Sequence, residues 1–261
     1  MKKTIIAVGG GSFGQLKTYP DGRQIQKPME TLKIDKKIIE LTGKKQPKMV
    51  FIGAAHGDDL SRFLAIKKYF GETFGCVVEN LNLIDDTQRP NKDELQKIIL
   101  GADIIYIGGG NVTYLLNILN KTGVDKLLIQ AYDKGIIMAG NSAGGCVWFD
   151  YYGNDEDDDF DGTFETFIPK KALGFIHGYF EPHWDTKPEE GIEKDSVSKN
   201  AVQRMLAKNN ISGYGVDEGA ALMIQTDGDK QTITEIISKN GAKIYKLMKQ
   251  RQEHINLGKN R

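Results

Sequence analysis

Between residues 4 and 141 short runs rich in Val and Ile alternate with amphipathic stretches, and this alternation leaves the chain few architectures. TIIAV (4–8), KMVFIGAA (48–55), CVVENLNLI (76–84), DIIYIGGG (103–110) and GIIMAGN (135–141) read as strands. METLKIDKKIIELTG (29–43), DLSRFLAIKKYFGETFG (59–75), NKDELQKIILG (91–101) and VTYLLNILNKTG (112–123) read as helices. Leu95, Ile98 and Ile99 form one apolar helix face, and Gly43, Gly75, Gly101 and Gly123 stand where helices should stop. Strands that are apolar throughout and joined by helices imply a mostly parallel sheet with helices on both faces, because a parallel pair needs a crossover and is buried on both sides.

After about Tyr151 the rhythm breaks into the acidic stretch YYGNDEDDDFDGTFETF (151–167) and resumes at GFIHGYFEP (174–182). A helix is expected at about 194–208. YGVDEGAALMI (214–224), QTITEIIS (231–238) and AKIYKLM (242–248) alternate as antiparallel strands do and are expected at one edge of the sheet. The organisation expected is one α/β domain over residues 1–250 and a polar tail over 251–261.

A chain of 261 residues can bury a core without covalent staples. Lys+Arg and Asp+Glu each count 35, so overall charge points to neither nucleic acid nor an anionic membrane, and a small neutral or zwitterionic partner fits better. The only cysteines, Cys76 and Cys146, lie in apolar contexts that suit reduced, buried thiols in a cytoplasmic protein. MKKTIIAVGGG begins like a signal peptide, but its apolar run stops at Val8, and no other run reaches membrane-spanning length; a cytoplasmic chain is expected.

Within AGNSAGGCVW (139–148), Ser142 stands in the pattern Gly-x-Ser-x-Gly between an apolar strand and a stretch able to start a helix. Such a turn needs small flanking residues because the serine backbone is strained and neighbouring elements crowd it; its hydroxyl is then held above the sheet. The amide of Ala143 points into the same space from the helix N-terminus, and Gly110, at the end of IYIGGGN (105–111), is the natural second donor of an oxyanion hole. Adjacent parallel strands would bring both loops to the carboxyl edge of the sheet.

A serine nucleophile also needs a base. Of the four histidines, His254 lies in the tail, His177 reads as a core histidine, and His56 follows a strand and is a weaker candidate. His183 in FEPHWD (180–185) ends a strand next to a proline and is the base chosen. An orienting carboxylate would come from the acidic loop, which offers Asp155, Glu156, Asp157, Asp158, Asp159 and Asp161 without distinguishing among them.

The blocks GGGN (108–111), GNSAGGCVWF (140–149) and FEPHW (180–184) together resemble the peptidase E family of serine peptidases, which includes α-aspartyl dipeptidase and is related to cyanophycinase. The resemblance implies the flavodoxin-like fold of class I glutamine amidotransferases, with Ser142 as nucleophile, His183 as base and Gly110 and Ala143 as oxyanion donors. It further implies Gly109 and Asn111 at the substrate, and an acidic member about fifteen residues past the serine. Counting from Val147 and Trp148 points to Asp157, and matching the shorter loop of other members points to Asp155. A short peptide substrate follows, with no metal or organic cofactor; a homodimer is compatible. One departure stands out: after His183 the first arginine is Arg204, preceded only by Lys187, Lys194 and Lys199, so the arginine that holds an acidic side chain in the aspartyl dipeptidases has no counterpart.

Rival readings are weaker. GGGSFG (9–14) fits Gly-x-Gly-x-x-Gly, but TYPDG (18–22) blocks the helix a pyrophosphate site requires. Asp157, Asp159, Asp161 and Gly162 match the start of an EF-hand loop, yet Ile168 stands where its glutamate should be. Glutamine amidotransfer would need a cysteine at the elbow, and Cys146 lies one helical turn further on. A non-enzymatic relative that binds a ligand on the same scaffold is separated only by activity.

Overall fold

Apolar periodicity places the strands of the first half of the chain side by side. The computed structural model describes residues 2–18, 21–154, 166–185, 199–248 and 252–254. In chain order, β1 (Lys3–Val8) leads through the hairpin β2 (Leu16–Thr18) and β3 (Gln24–Gln26) to α1 (Leu32–Leu41). There follow β4 (Lys48–Ile52), a 3₁₀ turn (Ala54–His56), α2 (Leu60–Phe74), β5 (Val77–Asn80), α3 (Lys92–Leu100), β6 (Ile104–Ile107), α4 (Val112–Thr122), α5 (Val124–Asp133) and β7 (Ile137–Asn141). The remainder comprises α6 (Ala143–Cys146), β8 (Phe149–Gly153), β9 (Pro169–Lys171), β10 (Ile176–Glu181), α7 (Lys199–Asn209), β11 (Gly213–Val216), β12 (Ala220–Asp227), β13 (Lys230–Ile237), β14 (Ile244–Leu247) and β15 (Gln252–His254).

The main sheet has seven strands in the order β13-β12-β1-β7-β6-β4-β5. Its five strands from β1 to β5 are mutually parallel, and β12 and β13 add an antiparallel edge. Period two sorts the strand residues to opposite faces. Ile5, Ala7, Val50, Ile52, Ile105 and Ile107 pack with Leu95, Ile99, Leu115 and Leu119 of α3 and α4, whereas Ile6, Val8, Met49, Phe51, Ile104 and Tyr106 pack with Ile34, Ile38, Ile66 and Phe70 of α1 and α2. Each fully buried isoleucine of these strands contributes about 2 kcal/mol of transfer free energy. Local signals agree with the helix ends: Asn91 and Glu94 form a capping box on α3, Asp59 caps α2, and Gly75 and Gly123 close α2 and α4 in the left-handed region.

The closing strands depart from the expected single edge. YGVDEGAALMI is two strands, not one: β11 ends at Val216, the chain turns at Asp217–Gly219, and β12 enters the other sheet. β11 belongs to a second sheet, β15-β14-β11-β10-β8-β9, that the apolar pattern did not reveal. Gln252–His254, expected within the polar tail, pairs with β14. Cys76 and Cys146 are buried free thiols, as expected. Among the described residues no helix is long and apolar enough to cross a membrane.

Candidate active site

The carboxyl ends of β1, β7 and β6 lie together, with Val8 opposite Asn141 and Ile107 opposite Gly140. β7 turns into the four-residue α6 through Ser142, whose φ of 54° and ψ of −117° are strained for a residue with a side chain. Its amide donates to Val8 O at 3.0 Å, which pins the turn to the neighbouring strand. The flanking glycines are obligatory: a Cβ on Gly140 would lie 1.9 Å from Gly144 O, and one on Gly144 would lie 2.1 Å from Ile107 O.

β10 delivers the imidazole. The His183 amide donates to Gly9 O at 2.7 Å and that of Trp184 to Val216 O at 3.1 Å, fixing a segment in which His183 itself has a φ of 52°. His183 Nε2 is 2.9 Å from Ser142 Oγ, and Nδ1 is 2.8 Å from Glu218 Oε1. A carboxylate can only accept, so the network assigns the proton to Nδ1 and leaves Nε2 to accept from the serine hydroxyl. The hydrogen bond from His183 holds the Glu218 carboxyl below its ordinary range, against the opposing effect of burial. Gly10 backs the ring so closely that a Cβ there would come within 2.4 Å of the imidazole Cε1.

The glycine loop after β6 meets the elbow. Gly108 N bonds Ile52 O and Asn111 N bonds Ala55 O, and among the described residues no backbone acceptor takes the Gly109 or Gly110 amide between them. Gly110 has a φ of 141°, and a Cβ there would lie 2.2 Å from Ala55 O; one on Gly109 would lie 3.1 Å from Ser142 Cβ. Ala143 is the first residue of α6, so its amide has no intrahelical acceptor. Asn111 caps α4, its side chain accepting from Tyr114 N at 2.6 Å.

Ser142, His183, Gly109, Gly110, Asn111 and Ala143 therefore come to one sheet edge, while Asp155 and Asp157 lie outside the described residues, as do Asp159 and Asp161. The carboxylate seated on the imidazole is that of Glu218, in a stretch (214–224) expected to be one continuous strand. Its signal was local: Asp-Glu-Gly inside an apolar run is turn chemistry, and Gly219 has a φ of 74°. His177 is corrected as well. Its side chain is exposed beside Asp150, because β10 is irregular at Gly178 and turns this position outward. His56 sits on the 3₁₀ turn against the glycine loop. Cys146 points into packing, with its Sγ 3.8 Å from Phe180 O. Gly9–Gly14 runs into the β2–β3 hairpin, not a helix. Among the described residues no group of three or more His, Cys, Asp or Glu is placed to hold a metal ion.

A family model described as Peptidase family S51 matches residues 21–233. The "Uncharacterized peptidase YgaJ" of Bacillus subtilis (strain 168) is 32% identical over 250 residues, spanning 94% of this chain and 92% of that protein. "Peptidase E" of Streptomyces coelicolor is 27% identical over 128 residues, 48% of this chain and 50% of that protein. A solved structure of a peptidase from an acI-B1 Actinobacterium shares the fold, with a TM-score of 0.68 at 18% identity over 99% of this chain and 96% of that one. These relatives define the class, a hydrolase of the peptidase kind. The chain belongs to peptidase family S51, the family of peptidase E.

Proposed function

We propose that this peptidase is a serine hydrolase cleaving short peptides, with Ser142 as nucleophile, His183 as general base and Glu218 as the carboxylate that orients it. The observation that carries the reading is the unbroken chain from Ser142 Oγ to His183 Nε2 at 2.9 Å and from His183 Nδ1 to Glu218 Oε1 at 2.8 Å. His183 takes the hydroxyl proton as Ser142 Oγ attacks the peptide carbonyl carbon. The Gly110 and Ala143 amides receive the negative charge on the carbonyl oxygen. The imidazolium then passes its proton to the leaving amine as the C–N bond breaks, and water, deprotonated by the same imidazole, hydrolyses the acyl-enzyme. Glu218 stays ionised throughout, fixing the tautomer and stabilising the imidazolium. Gly109 and the Asn111 side of the loop face the bound peptide.

Intact-mass measurement after treatment with a fluorophosphonate probe tests this. The wild type is expected to take one adduct and Ser142→Ala none, with Glu218→Gln labelled about 10³–10⁴-fold more slowly because it removes the charge that stabilises the imidazolium. An adduct that persists in Ser142→Ala would sink the assignment. A wild type that takes no label and cleaves nothing in a dipeptide library would favour a ligand-binding relative.

A further inference from the structure

The glycine run at 9–11, which matches a nucleotide motif but serves no helix N-terminus, holds the two halves of the His183–Glu218 dyad. Gly9 O accepts the His183 amide at 2.7 Å, and Gly10 O accepts the Gly219 amide at 3.0 Å. A side-chain bond then crosses directly between the halves: Asp185 Oδ1 accepts the Glu218 amide at 2.8 Å. The other oxygen of Asp185 lies 3.8 Å from Lys239 Nζ, which is 3.0 Å from Glu30 Oε1. Glu30 closes the circuit by accepting the Ser12 amide on Oε2 at 3.1 Å. Lys239 is itself seated on the catalytic turn, its amide 3.1 Å from Gly219 O, and a Cβ on Gly219 would collide with the Lys239 Cβ at 2.4 Å. Two carboxylates, those of Glu30 and Asp185, thus lie at 3.0 and 3.8 Å from one ammonium, whose charge also reaches Glu218.

We propose that Asp185 and Lys239 are the positioning pair of the dyad: Asp185 sets the place of Glu218 through its backbone amide, and Lys239 supplies the positive charge that holds Asp185 and Glu30 in place beside it. The inference rests on the catalytic reading above for its consequence in rate. Among the described residues, the charged groups around the dyad are Asp185 on the histidine's own segment, Lys239 after β13, Lys27 after β3 and Glu30 before α1, with Asp217 beside Glu218 buried and bonded to the Lys243 amide. Lys239 and Lys27 both act to lower the Glu218 titration. Removing the Lys239 charge therefore lets Glu218 hold a proton to higher pH and withdraws a positive charge from the surroundings of the dyad. Removing the Asp185 charge while keeping an oxygen acceptor does the opposite. Because His183 Nδ1 and Glu218 Oε1 share one hydrogen bond, the direction of movement is diagnostic.

The test uses the full chain as wild type, Lys239→Met, Lys239→Arg, Asp185→Asn and Asp185→Ala, each checked for fold by circular dichroism. Two quantities are read: the Glu218 carboxyl titration by carbon NMR, and the pH dependence of Ser142 labelling by a fluorophosphonate. In Lys239→Met both the Glu218 midpoint and the rising limb of the labelling rate should move up by about half a pH unit. In Asp185→Asn both should move down by a similar amount, and Lys239→Arg should restore the wild-type profile. Asp185→Ala, which leaves the Glu218 amide without its acceptor, should lower the plateau rate tenfold or more while Asp185→Asn keeps it. Unmoved midpoints and limbs in folded Lys239→Met and Asp185→Asn overturn the proposal, as do equal plateau losses in the two Asp185 variants. Lys239→Gln carries the charge arm if the methionine variant does not fold. If the wild type takes no label, the catalytic reading fails, and the NMR midpoints still decide the charge arrangement.

Discussion

Asp35 is the most exacting test of how this core is assembled. It lies on α1 with its side chain turned inward, only 1% exposed, and its Oδ2 accepts both the Thr31 hydroxyl at 2.7 Å and the Tyr69 hydroxyl at 2.9 Å. Burial dominates those two bonds and pushes the carboxyl up from 3.8 to about 7. The folded protein therefore keeps a proton that the unfolded chain releases, and stability falls as pH rises from about 4 to about 7, then levels off. The full difference is about 3 pH units, or about 4 kcal/mol. Asp35→Asn removes the ionisation but keeps an oxygen able to accept both hydroxyls. Its advantage over wild type in urea unfolding should grow by about 2–3 kcal/mol between pH 5 and pH 8. The mutational difference at pH 5 absorbs any cost of the new amide group, so only the change with pH is decisive. An identical difference at both pH values would refute the reasoning, because it would mean that Asp35 is ionised or neutral in both states alike.

Two further outcomes follow from the loops at the sheet edge. Gly144→Ala places a Cβ 2.1 Å from Ile107 O, backbone that cannot yield, and should cost more than about 3 kcal/mol in chemical denaturation. Gly57→Ala meets nothing within 4 Å and bears only the strain of its φ of 75°, about 1–2 kcal/mol, so a smaller loss at Gly144 than at Gly57 would contradict the steric argument. Asp58 Oδ2 accepts the Leu83 and Ile84 amides at 2.6 and 2.9 Å. Asp58→Ala should cost about 2–3 kcal/mol and speed hydrogen exchange at those two amides, with Asp58→Asn milder because its oxygen still accepts; unchanged exchange in Asp58→Ala would show that these bonds do not hold the loop.

The parallel half of the fold was legible because its signal is redundant. A strand such as IIYI, buried at all four positions, cannot be half exposed, and the helices between strands carry their own caps, so pattern and termini give the same answer. The second sheet was illegible for a physical reason. Its strands are short and mix buried with exposed positions, as in β10, where Gly178 interrupts the alternation and His177 reaches solvent. Period alone then reports neither which sheet a strand joins nor where it ends.

The site divides along the same line. Ser142, Gly110 and Ala143 were readable because the backbone next to these strand ends leaves no room for a Cβ at Gly140, Gly144 or Gly110, and sterics of that kind demand glycine at fixed positions around them. His183 was readable because Pro182 marks where its strand stops. Glu218 depends on none of this: its place is set by the turn between β11 and β12, which exists because two sheets separate there, and by partners at Gly10, Asp185 and Lys239 that are remote in the chain. An acid in a dyad need only supply one oxygen to Nδ1, so no local spacing betrays it. The consequence is that such an acid is better sought at the turn where two sheets part beside the histidine than by counting from the serine. Here that turn is marked by Gly219, which at a φ of 74° takes the conformation a side chain disfavours and leaves room for the Lys239 Cβ packed against it.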